Sequence, residues 1–149
     1  MTTDRFVIVG AGLAAVRAAQ TLREEGFSGE MVMVGAEAHL PYERPPLSKD
    51  YLQGKADRDS VFVQPASWFQ EQSITVRQGT SVLGLQLGER QVHLSDGTLL
   101  AYDALLLASG STPRRLRIPG ADATGVHYLR TLDDADALRA GLEATHHLV

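Results

Sequence analysis

Residues 10–15 read Gly-Ala-Gly-Leu-Ala-Ala, a G-x-G-x-x-A loop. That spacing suits the binding of a dinucleotide pyrophosphate. Gly10 allows the tight turn, Gly12 lets the backbone approach the phosphates, and Ala15 permits close packing of helix on strand. The residues that follow open a helix, and the N–H groups of Leu13 and Ala14 would point at the anion, helped by the helix dipole. An acid about 20 residues further on should accept ribose hydroxyls. Glu37 follows Ala15 by 22 residues.

The elements needed to position these groups are present on both sides of the loop. Phe6–Val9 is an apolar run that suits a buried parallel strand, Leu13–Glu25 reads as a helix, and Met31–Val34 is a second apolar run. Beyond them, His39–Gly54 has no regular period, and the adjacent prolines Pro45 and Pro46 keep it extended. Leu47–Gln53 is expected to form a short helix stopped by Gly54. A second short helix, begun by Pro65, would carry Trp68 and Phe69. The period then changes. Thr75–Arg77, Val82–Leu87, Gln91–Leu94 and Leu99–Tyr102 read as short strands, with a turn at Ser95-Asp-Gly-Thr98. Ala104–Ala108 reads as a buried strand. Thr131 caps a last helix, Leu132–Glu143, with Asp134 as its capping-box partner and Ala135, Leu138, Ala140 and Leu142 on its apolar side. The fold class that follows is α/β: a Rossmann-like dinucleotide-binding domain whose parallel sheet is completed through an antiparallel β-meander crossover.

The chain has 149 residues, 44% hydrophobic and 21% charged, which suits one globular domain by default. Its net charge of −4 does not favour nucleic acid or an anionic membrane. The first residues lack the basic region of a signal peptide, and no apolar run is long enough to span a bilayer, so a cytoplasmic location is expected. With no cysteine, structural disulfides, thiolate metal sites and Cys-based redox relays on these residues are excluded. The histidines His39, His93, His127, His146 and His147 have no ligand-type spacing, and no metal is expected. Arg114, Arg115 and Arg117 read as a solvated turn after Pro113. The sharper reading of that cluster is an electrostatic docking patch.

Four runs together resemble the FAD-dependent ferredoxin or rubredoxin reductases. They are Phe6–Ala15, Pro41-Tyr-Glu-Arg-Pro-Pro-Leu-Ser-Lys49, Leu105-Leu-Leu-Ala-Ser-Gly110 and Tyr128-Leu-Arg-Thr-Leu132, in the order of that family. The resemblance implies FAD as cofactor, NADH as hydride donor, and a ferredoxin or rubredoxin-like iron–sulfur protein as electron acceptor. It implies that Gly10, Gly12, Leu13 and Ala14 hold the pyrophosphate, and that Arg44 contacts the FAD phosphates. Lys49 would lie near the flavin N5 edge as the catalytic cation, and the backbone of Val82 would meet the adenine. Ala108, Ser109 and Gly110 correspond to an Ala-Thr-Gly loop over the FAD, with serine in place of threonine. Arg130 corresponds to an arginine at the cofactor.

Two departures stand out. Where the family commonly has Gly-Asp-Glu, this chain has Gly35-Ala36-Glu37, so Glu37 must reach the ribose without the first acid. A lost charge-assisted hydrogen bond costs roughly 1.5–3 kcal/mol, and weaker FAD binding is expected. The family also carries a second glycine loop for NADH, and these 149 residues hold one such loop. The expected organisation is therefore 1–115 as the first part of the FAD-binding domain and 116–149 as a connecting segment and helix that lead to an NAD-binding domain. On its own the chain would be inactive with NADH. An alternative reading is a non-catalytic FAD- or ADP-binding module. A single-domain NAD-dependent dehydrogenase is disfavoured by the meander and by the lack of a Tyr-x-x-x-Lys motif.

Overall fold

The computed structural model describes residues 4–144. Strand β1 (Arg5–Val9), helix α1 (Leu13–Glu24) and strand β2 (Glu30–Val34) form the first βαβ unit. β1 and β2 run parallel, with Phe6 opposite Met31 and Val9 opposite Val34. Strand β3 (Ile74–Arg77) pairs with β2, and strand β7 (Ala104–Leu107) pairs with β1, both parallel. The sheet order is β3-β2-β1-β7. Strands β4 (Val82–Gln86), β5 (Gln91–Leu94) and β6 (Leu99–Ala101) make a separate antiparallel meander.

The apolar runs of β1 and β2 exist because both faces of the parallel sheet are covered. On one face, Phe6, Ile8, Met31 and Met33 pack with Ala15, Val16 and Ala19 of α1 and with Phe69 of helix α2 (Ala66–Glu71). On the other, Val7, Val9, Val32 and Val34 pack with Val92, Leu94 and Leu100 of the meander. Helices, sheet and meander are thus three layers around two cores. Arg5 closes the near end of the sheet by an ion pair with Glu30 at 2.7 Å.

Several sequence expectations change. Thr75–Arg77, grouped with the short antiparallel strands, belongs to β3 of the parallel sheet, because Ile74 and Val76 join the helix-side core. Ala104–Leu107 is an edge strand and only half-buried, with Leu107 58% exposed. Leu47–Gln53 is not a helix: a 3-10 turn spans Pro45–Ser48, and further turns end at Gly54. The prolines occupy the first two positions of the turn, where their missing N–H groups cost nothing, and it stops because Lys49 leaves the helical conformation at φ −130° and ψ −117°. Pro65 caps α2 in an extended conformation (φ −68°, ψ 159°) rather than occupying its first turn.

The described chain divides into two compact units. The first comprises residues up to Tyr42 together with Phe62–Gly110, and the second comprises Glu43–Val61 with the residues from Ser111 onward. The second unit contains the 3-10 turns Pro45–Ser48 and Arg58–Val61 and helix α3 (Leu132–Ala144). Leu47, Val61, Leu132 and Ala135 are buried in it. The buried Tyr51 hydroxyl and the Arg58 guanidinium both donate to the Asp136 carboxylate. Burial, then the Asp136 hydrogen bond, raises the Tyr51 pKa from its ordinary value. Ala140, expected on the apolar side of α3, is exposed. It lies five residues after Ala135, about 140° around the helix.

The capping box is formed. The Thr131 N–H donates to Asp134 at 2.7 Å, the Arg130 N–H donates to it at 3.0 Å, and the Asp134 N–H donates to the Thr131 hydroxyl at 3.1 Å. Burial pushes the Asp134 carboxyl up, but the Thr131 and Arg130 donors together outweigh it and hold it below its usual range. A carboxyl lowered by folding stabilises above its unfolded pKa, and that stability is lost as pH falls through the folded value. Asp134→Ala is expected to cost about 1 kcal/mol at pH 7, and the difference in melting temperature from wild type should close below about pH 4. Parallel thermal melts across pH check both statements. No helix among the described residues is long and apolar enough to cross a membrane.

Candidate functional site

The carboxyl ends of the parallel strands are where an open α/β sheet binds ligands. There β1 leaves the sheet at Gly10, whose N–H donates to the Val34 carbonyl at 2.8 Å. Gly10 has φ +115°, and a Cβ on it would lie 2.1 Å from the Ala108 carbonyl oxygen. The turn from β1 and the chain leaving β7 therefore touch backbone to backbone. Ala108 is fixed in turn by its N–H bond to the Val9 carbonyl at 2.7 Å. Gly12 is the N-cap of α1, extended at φ −104° and ψ −171°, with no side-chain cap. A Cβ on Gly12 would meet nothing within 4 Å. The first N–H groups of α1 have no intrahelical partner, its first turn contains no acid, and Leu13 and Ala14 are exposed. Open space before a bare helix N-terminus fits a phosphate.

The exit of β2 lies against the same loop. A Cβ on Gly35 would come within 2.5 Å of the Ala11 Cβ. The backbone of 35–37 is tied to the neighbouring segment at three points. Gly35 N–H donates to the Arg77 carbonyl, Thr80 N–H to that of Gly35, and Gly79 N–H to that of Glu37, each at 2.9 Å. Ala36 is exposed, and the Glu37 carboxylate accepts the hydroxyl of buried Tyr42. Val82 opens β4 opposite Leu94 and packs on the meander-side core. Ser109 and Gly110 are exposed beyond β7.

In the second unit, Arg44 donates through Nη1 to the Arg130 carbonyl at 2.5 Å. Arg130 donates through Nη2 to the Ser111 hydroxyl at 3.1 Å, while its Nε is buried with no hydrogen-bond partner. The two arginines line a pocket of about 250 Å³ with Pro45, Leu47, Ser48 and Leu129. A buried donor lacking an acceptor, beside a second cation, fits an anionic group. Lys49 ends the 3-10 turn, is exposed, and is not part of that lining. Arg115 lies over the Tyr128 ring, 4.9 Å from its centroid, and 3.9 Å from Asp122.

Gly10, Gly12, Leu13, Ala14, Ala36, Glu37, Ala108, Ser109 and Gly110 are thus at one end of the parallel sheet, with Val82 in the meander, and Arg44 meets Arg130 in the second unit. Sequence reasoning missed Tyr42 and Ser111. Tyr42 carried a signal, an aromatic hydroxyl five residues after the candidate acid, whereas Ser111 carried none. Among the described residues no group of three or more His, Asp or Glu could hold a metal ion. His146 and His147 lie outside the described residues.

A family model described as pyridine nucleotide-disulphide oxidoreductase matches residues 4–149. Rhodocoxin reductase of Rhodococcus erythropolis is 43% identical over 144 residues, 97% of this chain and 34% of that protein. The ferredoxin–NAD(+) reductase component of the anthranilate 1,2-dioxygenase system of Burkholderia cepacia is 46% identical over 142 residues, 95% of this chain and 35% of that protein. Among solved structures, the covalent putidaredoxin reductase–putidaredoxin complex matches with a TM-score of 0.87 and 41% identity, over 95% of this chain and 35% of that one. The chain spans about a third of the length of the curated relatives it matches.

Proposed function

We propose, since the chain belongs to the pyridine nucleotide-disulphide oxidoreductase family, that it is the FAD-binding part of an NADH-dependent reductase serving a ferredoxin- or rubredoxin-like iron–sulfur protein. The observation that carries this reading is the open cradle at Gly12 and the bare N-terminus of α1, with Glu37 on the adjoining strand exit. When bound, FAD supplies hydride acceptance from NADH and release of single electrons.

The residues of the chain divide the work of holding it. Gly10, Gly12 and the N–H groups of Leu13 and Ala14 bind the pyrophosphate. Glu37, next to Ala36, accepts the adenosine ribose, and the Val82 backbone meets the adenine. Ala108, Ser109 and Gly110 cover the cofactor and exclude water. Arg44 and Arg130 compensate phosphate charge, and Lys49 offers a cation to the flavin edge. Residues 1–115 form the first part of the FAD-binding domain, and 116–149 lead towards a second dinucleotide site. The reaction belongs to the cytoplasm, where NADH is available.

The test is purification of the whole product of the reading frame that carries these residues. A yellow protein that reduces a ferredoxin at the expense of NADH is expected. A protein without flavin absorption, even after addition of FAD, overturns the reading. The 149 residues alone are expected not to oxidise NADH with ferricyanide, and measurable turnover would refute that part.

A further inference from the structure

Glu37 is held at both its backbone and its side chain. Its carbonyl accepts the Gly79 N–H at 2.9 Å, and its carboxylate accepts the Tyr42 hydroxyl. Tyr42 is itself fixed: it is 5% exposed, it bridges antiparallel to Phe62, and the His39 ring stands edge-on to it at 6.4 Å. The preceding Pro41 carbonyl accepts the Val63 N–H at 2.9 Å. A rigid aromatic thus presents one hydroxyl to a long, flexible acid. Beside it, Ala36 has no polar group, so Glu37 carries the only carboxylate among residues 35–37.

We propose that Tyr42 is a positioning residue for cofactor recognition. Its hydroxyl sets the Glu37 carboxylate in the orientation that accepts the 2′-hydroxyl of the adenosine ribose. This rests on the FAD reading above. A glutamate side chain loses rotamer freedom when it engages a ligand, and ordering it beforehand removes that cost from binding. A carboxylate has about four acceptor sites, so accepting one phenol leaves capacity for a ribose hydroxyl. The phenol is also a charge-assisted donor, stronger than a neutral pair.

The test compares FAD with an analogue whose adenosine ribose lacks the 2′-hydroxyl, using titration of the flavin-free protein followed by fluorescence. Wild type is expected to prefer FAD by about tenfold. Tyr42→Phe keeps the ring and removes one oxygen. It should weaken FAD binding about fivefold while leaving the analogue within about twofold. Glu37→Gln should also lose the preference, and adding Tyr42→Phe to it should change nothing further. A Tyr42→Phe protein that weakens both ligands equally, or that keeps the wild-type preference, overturns the inference. So does a wild type that binds both ligands equally well. A wild type that binds neither overturns the FAD reading and this inference with it.

Discussion

Gly10→Ala is expected to destabilise the protein and to abolish flavin binding, whereas Gly12→Ala should abolish tight flavin binding with the fold intact. The two glycines stand two residues apart and do different work. A Cβ on Gly10 would sit 2.1 Å from the Ala108 oxygen and 2.6 Å from its carbon. That neighbour is backbone, pinned to Val9, and cannot swing aside. Positive φ adds its own strain. Together these cost about 3 kcal/mol, enough to shift a urea midpoint clearly and to move Ala108–Gly110 away from the cradle. Gly12 has ordinary φ and empty space beside it. Alanine there should change stability by less than about 1 kcal/mol. It would occupy the space proposed for the pyrophosphate, and the loss of one charge-assisted bond weakens binding by about tenfold to a hundredfold. Denaturant melts without flavin, paired with FAD titrations, separate the two effects. If Gly12→Ala binds FAD as tightly as wild type, the phosphate is not held at this loop.

Arg130→Met is expected to leave the melting temperature unchanged or higher while FAD affinity falls by about tenfold to a hundredfold. The buried Nε of Arg130 donates to nothing, and an unsatisfied buried donor costs about 1–3 kcal/mol. An unbranched apolar side chain of similar length removes that cost. The bond to Ser111 is also lost, but Ser111 is exposed and water can replace the guanidinium. The backbone bonds of Arg130 to Arg44 and Asp134 do not depend on its side chain. Arg130→Lys should not restore binding, since a point charge lacks the guanidinium's fixed fork of donors. A marked drop in melting temperature would instead make Arg130 a structural residue.

Much of the candidate site was legible because it is local. The glycine loop, its flanking strand and helix, and the Thr131–Asp134 cap each occupy a few consecutive residues with strong backbone requirements. The pairing of elements far apart in sequence was harder to read. Thr75–Arg77 carries the same β-forming residues whether it joins a meander or a parallel sheet, and the parallel pairing with β2 is what brings Ile74 and Val76 into the helix-side core. A helical period runs through Leu47–Gln53, but the backbone breaks at Lys49, which no side-chain pattern announces. Tyr42 escaped notice as a site residue because its partner Glu37 lies across an irregular loop, where no periodicity predicts a contact. Likewise, the tie of Arg58 and Tyr51 to Asp136 joins segments some 80 residues apart.

The two covered faces of the parallel sheet are not interchangeable. In β1 and β2, Phe6, Ile8, Met31 and Met33 face the helices, and the alternate positions facing the meander are valine at Val7, Val9, Val32 and Val34. An ordinary half-exposed strand encodes its register in polarity, so a slip of one residue drives apolar groups into water. Here a slip would leave the apolar side chains of residues 6–9 and 31–34 among apolar neighbours, yet with long side chains crowding the meander and short ones leaving gaps beneath α1. Register in these strands is encoded in side-chain volume. The loop that follows β1 therefore owes its alignment with the exit of β2 to the difference in bulk between valine and the isoleucine, methionine and phenylalanine at alternate positions.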